Sequence, residues 1–322
     1  MWATLTRPIS NFHPESFSFR VKTRFMEYTG NNNMIISVAS GKGGTGKTTV
    51  TASLAAVWKK PIVAVDLDVE EPNLHLFLKP EITNEEKTYL EIPVVDKSRC
   101  TLCRICSDLC QFQAIKVMGE TLLTFPEMCH GCGGCLAVCP EKALTPGKRE
   151  LGTLSQGSFA DNKLFLMGLL RVGEAMTPPL MEQVKKRLLK IMENNRKDVI
   201  IDAPPGVSCP AVCAVMDSDM ILLVTEPTPF GFHDFKLAWE SFSPIGKPMG
   251  VVVNRSGLGD ESVYAFCEEK GLPILASIPY DRAIAQGYSK GHVVARLSSE
   301  LENRFSDLAL AIQACDCEAG HA

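Results

Sequence analysis

The stretch Gly41-Lys42-Gly43-Gly44-Thr45-Gly46-Lys47-Thr48-Thr49 decides how the rest of the chain reads. It follows an apolar run with the make-up of a strand, Met34-Ile-Ile-Ser-Val-Ala-Ser40, and it opens a segment with helical spacing near 46–58. Its glycines let successive backbone N–H groups turn inward and cradle phosphate oxygens, and the helix N-terminus behind them adds its positive dipole end. Strand, glycine-rich turn and helix together separate a phosphate-binding loop from a chance turn. On that reading Gly41 to Thr49 wrap a nucleotide, Lys47 reaches its β- and γ-phosphates, and the Thr48 hydroxyl ligates Mg²⁺.

Outward from this loop, short apolar runs alternate with helical segments. Strands are expected at 34–40, 61–67, 163–170, 198–203, 219–225, 248–253 and 273–278, with helices near 46–58, 178–194, 232–242 and 260–270. Continuous apolar strands such as Ile221-Leu-Leu-Val224 suit a sheet covered on both faces. The alternation implies an α/β fold with a doubly wound, mainly parallel sheet. Ser298 to Ala314 reads as an amphipathic helix with Leu301, Phe305, Leu308 and Ile312 on one face. Its polar face is mostly acidic, which suits packing on its own domain and not a membrane surface.

One segment breaks the rhythm. Of the 13 cysteines in 322 residues, eight lie between Cys100 and Cys139. They form two runs, Cys100-x2-Cys103-x2-Cys106-x3-Cys110 and Cys129-x2-Cys132-x2-Cys135-x3-Cys139-Pro140, that repeat at a 29-residue offset. The runs match the bacterial two-cluster ferredoxin pattern, in which three cysteines of one run and the fourth of the other share a [4Fe–4S] cluster. One cluster is thus expected on Cys100, Cys103, Cys106 and Cys139, the other on Cys129, Cys132, Cys135 and Cys110. Gln111 stands where proline usually follows the fourth cysteine, and proline is no ligand. The competing readings are zinc, which usually takes separated cysteine pairs, and a disulfide scaffold. Because the strand–helix pattern runs before the segment and resumes after it, the division expected is an ATPase domain at 34–89 and 151–314, a small ferredoxin-like insert at 90–150, and a tail at 315–322.

Composition bounds the partners. Hydrophobic residues make up 45%, charged residues 22%, and the net charge of −4 gives no electrostatic reason to expect nucleic acid. No apolar stretch approaches the roughly 20 residues of a membrane helix. Free thiolates in this number imply a reducing, cytoplasmic setting. Residues 1–33 lack the apolar core of a signal peptide and read as a disordered leader or an upstream start, with an organelle transit peptide as the alternative.

Lys42, directly after the first glycine, together with the loop, resembles the deviant Walker A group of MinD/ParA-type ATPases. The resemblance covers residues 34–80 and 151–312 and implies several roles. Lys42 would reach the phosphates of a partner across a nucleotide-sandwich dimer. In Val65-Asp66-Leu67-Asp68, matching switch I, Asp66 would hold the Mg²⁺ water shell and Asp68 orient the attacking water. Asp202-Ala-Pro-Pro-Gly206 matches switch II, with Asp202 serving Mg²⁺ through water and Gly206 acting as a hinge. Asn254 would read the adenine base, and Pro279 to Asp281 wall its pocket.

The resemblance extends to MinD-superfamily ATPases with an inserted ferredoxin domain. It implies ATP hydrolysis coupled to electron transfer through two [4Fe–4S] clusters, in a homodimer or a heterodimer with a paralogue, acting on an unknown redox or cluster-accepting protein. A cluster-assembly carrier is the alternative. Cys209, seven residues beyond Asp202, has the offset of a dimer-bridging cluster ligand in the nitrogenase iron protein, and Cys213 is a possible second ligand, although small buried residues at a helix start are the plainer reading of both. A scaffold with structural clusters is the third reading. An amidoligase of the cobyrinate-diamide type would need a glutaminase domain, for which these residues leave no room.

Overall fold

The structure is a computed structural model and describes residues 33–194 and 197–319. The expected leader falls, but for Asn33, outside the described residues, as do the last residues of the expected tail. The strands are β1 (Ile35–Ala39), β2 (Ile62–Asp66), β3 (Glu81–Val95), β4 (Ile115–Met118), β5 (Thr121–Thr124), β6 (Leu144–Ala160), β7 (Lys163–Leu170), β8 (Asp198–Asp202), β9 (Met220–Thr225), β10 (Met249–Ser256) and β11 (Ile274–Pro279). Nine of them form one sheet in the order β11-β10-β9-β1-β8-β2-β7-β6-β3. From β11 to β7 every neighbour is parallel, and β6 and β3 continue the sheet antiparallel. The mainly parallel α/β sheet expected from the sequence is present, with β1 in the middle of its seven parallel strands.

Each central strand is apolar on both sides because each side has its own helices to bury against. In β1, Ile35 and Ala39 join one core cluster and Ile36 and Val38 the other; β2, β8 and β9 divide in the same way. The first cluster is closed by the helices α5 (Thr177–Asn194), α6 (Cys209–Val215), α7 (Pro229–Phe242) and α8 (Ser262–Lys270). The second is closed by α1 (Lys47–Val57), α2 (Leu74–Leu78), α9 (Arg282–Ser289) and α10 (Ser299–Ala319). Leu301, Phe305, Leu308 and Ile312 of α10 are all buried, as their spacing implied. The helix runs on past residue 314 into the expected tail. The buried Asp198 is matched: it accepts the Trp58 indole N–H at 2.9 Å and the Met34 amide at 2.9 Å. Among the described residues no helix is long and apolar enough to cross a membrane.

The cysteine segment hangs on a ribbon. β3 pairs with β6 along its whole length, from Glu81 against Ser158 to Val95 against Leu144. β6 pairs with β7 only from Gly152 to Ala160, so residues 89–95 and 144–151 project beyond the sheet edge as two strands alone. The expected divisions at 89/90 and 150/151 therefore fall inside β3 and β6. At the tip lie α3 (Ile105–Leu109), the β4–β5 hairpin and α4 (Gly134–Val138) around a small core of Cys106, Ile115, Leu122 and Leu144.

The 29-residue repeat is written in the backbone. α4 begins and ends 29 residues after α3. Left-handed residues recur at the same offset: Leu102 and Gly131 (φ 58° and 67°), Arg104 and Gly133 (68° and 70°), Gln113 and Lys142 (54° and 47°). Asp96 N donates to Ala143 O at 2.8 Å, and its counterpart Phe125 N donates to Ala114 O at 2.7 Å, so each half completes the other's strand pair.

Candidate functional site

The loop after β1 turns through two left-handed glycines, Gly44 at φ 80° and Gly46 at 94°, into α1. A Cβ on Gly46 would sit 2.1 Å from the Asn254 amide nitrogen, so any other residue here would be strained and would have to displace the Asn254 side chain. Gly41 is fixed by packing, since a Cβ there would meet the Asp234 carbonyl at 1.9 Å. Lys42, Gly43, Gly44, Gly46, Lys47, Thr48 and Thr49 line a cavity of ≈ 460 Å³ together with Asp68, Asn254, Pro279, Tyr280 and Asp281. Gly41 and Thr45 are not among its walls. The Thr45 hydroxyl is buried with no hydrogen-bond partner, while its backbone carbonyl accepts the Asn254 amide at 2.7 Å. Asn254 thus braces the loop with its Nδ2 as well as lining the cavity.

Beneath the loop, three side chains of α1 converge on one carboxylate. Lys47 Nζ lies 2.8 Å from Asp202 Oδ1, Thr51 Oγ1 donates to the same oxygen at 3.0 Å, and Thr48 Oγ1 donates to Oδ2 at 2.7 Å. Burial acts to lower the Lys47 ammonium, but the charge and hydrogen bond of Asp202 outweigh it and leave it raised. Asp66 is fully buried and accepts the backbone N–H groups of Asp68 (3.1 Å) and Leu74 (2.9 Å). Burial, then the charge of Asp202, hold its carboxyl well above the usual range. Burial also pushes Asp68 up to about 6, against the pull of Lys47. Three carboxylates around one lysine leave an excess of negative charge and hard oxygen donors, which fits a divalent cation such as Mg²⁺.

Lys42 is held within its own chain, 2.9 Å from Glu226 and 4.0 Å from Asp234. Glu226 also binds Arg255 at 2.6 Å, and Arg255 donates to the Gly44 carbonyl at 3.1 Å from a left-handed backbone. Sequence reasoning passed over Thr51, Glu226 and Arg255. Arg255 had one local signal, its place directly after Asn254; the other two are brought in by tertiary packing alone.

The eight cysteines of the two runs lie around two clefts. Cys100, Cys103, Cys106 and Cys139 line one cleft, the tighter of the two, and Cys110, Cys129, Cys132 and Cys135 line the other. Cys106, which borders both, stands between them. All eight are free thiols. Gly131 N donates to Cys129 Sγ at 3.4 Å and Ala143 N to Cys139 Sγ at 3.3 Å, hydrogen bonds of the kind that tune iron-bound sulfur. Among the described residues no three His, Cys, Asp or Glu side chains meet closely enough for a single metal ion. A cubane takes one thiolate at each of four separate corners, and four sulfurs around a cleft are a donor set that fits it. Phe112 and His130 stack at 3.5 Å over the second cleft. Cys209 is exposed and Cys213 half-buried, one turn apart on α6, and neither lines either cleft.

Comparison with known proteins bears on the nucleotide-binding fold. A model of the CobQ/CobB/MinD/ParA nucleotide binding domain matches residues 36–294. An uncharacterized protein of Methanocaldococcus jannaschii is 30% identical over 287 residues, 86% of this chain and 96% of the relative. An iron-sulfur cluster carrier protein of Aquifex aeolicus is 25% identical over 297 residues, 85% and 66% of the two chains. The septum site-determining protein MinD of Pyrococcus horikoshii, solved with Mg-ADP, superposes with a TM-score of 0.55 at 24% identity, covering 87% of this chain and 96% of that one.

Proposed function

Because the chain belongs to the CobQ/CobB/MinD/ParA nucleotide-binding family, we propose that it is a Mg²⁺-dependent ATPase that couples its nucleotide state to electron transfer through two [4Fe–4S] clusters. The observation that carries this reading is the gathering of the two cysteine quartets around separate clefts, on a ribbon continuous with the sheet that positions the phosphate loop. Eight internal thiolates retain their clusters, as a one-electron carrier requires and a delivery protein does not.

In this reading residues 34–89 and 151–314 belong to the ATPase and 90–150 to the insert. Lys47 would exchange the oxygens of Asp202 for those of the β- and γ-phosphates, and the Thr48 hydroxyl would leave Asp202 to ligate Mg²⁺. Asp202, released from both, and Asp66 then face the Mg²⁺ water shell, and Asp68 orients the attacking water. Bound Mg²⁺ neutralises the phosphate charge that develops on cleavage. Lys42 leaves Glu226 to meet the phosphates of a second subunit, a copy of this chain or a paralogue. The clusters, when present, supply reversible one-electron transfer between a cytoplasmic donor and acceptor protein.

The test is anaerobic purification with iron counting, followed by redox titration monitored by EPR in ADP and in a non-hydrolysable ATP analogue. The expected result is about eight irons per chain and a reduction potential that differs between the two nucleotides. Identical potentials and spectra sink the coupling.

A second reading, a cluster carrier, draws on the Aquifex relative and on exposed Cys209. It requires that Cys209→Ala lose iron from the dimer; unchanged iron content confines the clusters to the insert. A scaffold with purely structural clusters predicts full nucleotide turnover with no redox response.

A further inference from the structure

The ion pairs at the foot of the ribbon serve neither site directly, and they join the two. Arg149, on β6, has a side chain only 5% exposed, and that of Glu174 beside it is 1% exposed. One Nη of Arg149 pairs with Glu174 and, at 2.8 Å, with Glu127; the other donates to the carbonyl of Cys129 at 3.4 Å. Glu127 lies in the turn Pro126–Met128 that delivers Cys129. Arg171 closes the ring, 2.8 Å from Glu127 and 3.5 Å from Glu174, with its Nε donating to the Glu150 carbonyl at 2.7 Å. A guanidinium this deeply buried is costly unless its partners stay in place, so the ring holds the Cys129 turn in a fixed position.

The same segment reaches the other way. Glu174 Oε1 accepts the amides of Ala175 (3.0 Å) and Met176 (2.9 Å), which fixes the entry to α5. Thr177, the first residue of α5, donates its hydroxyl to Glu70 Oε1 at 2.7 Å, two residues beyond Asp68. Backbone bonds run alongside: Leu170 N to Val69 O at 2.9 Å and Arg171 N to Leu151 O at 2.8 Å. Residues 170–177 are therefore fastened at both ends, through Leu170 and Thr177, to the loop that follows Asp66, and between those ends, through Arg171 and Glu174, to the ring that holds the turn carrying Cys129.

We propose that Arg149 is a positioning residue that couples the Cys129 turn to the Asp68 loop through Glu174, Thr177 and Glu70. The proposal rests on the reading above, in that one end must hold a cluster and the other must respond to nucleotide. When the Asp68 loop closes on nucleotide, Glu70 shifts the hydroxyl of Thr177 and with it the start of α5. Glu174 moves, and Arg149 redistributes among Glu174, Glu127 and the Cys129 carbonyl. A cation moved toward the second cleft favours added negative charge there. Nucleotide therefore alters the reduction of that cluster, and by reciprocity reduction alters nucleotide affinity by the same factor.

The experiment uses the full chain, purified anaerobically, oxidised or reduced with dithionite, and titrated with a fluorescent non-hydrolysable ATP analogue. Amide hydrogen exchange at 69–72 and 127–131 is followed in parallel. In the unaltered protein the affinity differs at least about fivefold between the two redox states, and nucleotide changes exchange at both segments. Thr177→Val, which keeps the shape and removes the hydroxyl, brings the affinity ratio close to one and silences the response at 127–131. It leaves iron content and the response at 69–72 intact. Arg149→Lys keeps the charge, loses the fork and gives the same loss. If both variants retain the full ratio, the path is wrong while the proposed function stands. A ratio of one in the unaltered protein removes both.

Discussion

The phosphate loop and the two cysteine loops are built on the same backbone turn. In each, two left-handed residues stand two apart directly before a helix: Gly44 and Gly46 before α1, Leu102 and Arg104 before α3, Gly131 and Gly133 before α4. Such a turn points consecutive N–H groups into one concavity and suits an anion, whether phosphate or a sulfur-rich cluster. The loops differ in who occupies the turn. Glycine does so without penalty in the phosphate loop and in the second cysteine loop, whereas the first forces leucine and arginine into a conformation that costs an L-residue roughly 1–2 kcal/mol. The phosphate loop is also locked from above by Asn254 and Arg255, whereas Gly133 has open space around it. Identical turns thus carry different tolerance to change.

The largest test of that contrast is Gly46→Ala. Strain and the collision with Asn254 should lower nucleotide affinity at least about a hundredfold, near 3 kcal/mol, in a fluorescent-nucleotide titration, with iron content unchanged. Parallel loss of iron would mean that the turns are not independent.

The next effect concerns charge, which sets the phosphate loop apart from the cysteine loops. In the proposed mechanism Asp68 orients water as the carboxylate, and burial raises its pKa to about 6. The protonated, inactive form gains as pH falls, so kcat/KM for ATP should drop about tenfold per unit below about pH 6, since this ratio reports the free protein's groups. A flat profile down to pH 5 would exclude Asp68 from the step.

Smaller still is the pair Arg104→Gly and Gly133→Ala, the same position in the two repeats. The first should raise the stability of the anaerobic protein by about 0.5–1 kcal/mol and the second lower it by about 1 kcal/mol, read from denaturant midpoints. Equal signs would show that the repeat is not energetically equivalent. Last, Cys103→Ser and Cys132→Ser, also counterparts, should each remove one cluster and halve the iron, from about eight to about four, leaving nucleotide affinity within twofold.

What could be read from the sequence was local and repetitive. The phosphate loop, the apolar strands flanking it and the two cysteine runs announce themselves by spacing, and the strands expected at 34–40 through 273–278 all appear. β3 and β6 did not. Glu81-Ile-Thr-Asn-Glu-Glu-Lys-Thr88 is almost wholly exposed as an edge strand, so it shows no apolar period to detect, and Gly147, Gly152 and Gly157 break the pattern of its partner. The ring of Arg149, Glu127, Arg171 and Glu174 was equally hidden: its members come from three segments and meet only once the ribbon has folded against β7. Lys42 shows a further limit. Its place after Gly41 marks a family trait, but nothing local indicates that Glu226, far along the chain, would hold it.

Chain entropy gives the ribbon a consequence for assembly. The inserted stretch enters and leaves the sheet with Glu81 and Ser158 side by side. Bringing together the ends of a long flexible loop costs only about 0.6 kcal/mol more for each doubling of its length, and paired strands remove most of even that once they zip. To the surrounding sheet the whole segment is then equivalent to a hairpin turn between α2 and β7. Once the ribbon is paired, the effective loop between β2 and β7 is that turn and not their full sequence separation, so lengthening or shortening the tip should leave the folding rate of the nucleotide-binding half nearly unchanged.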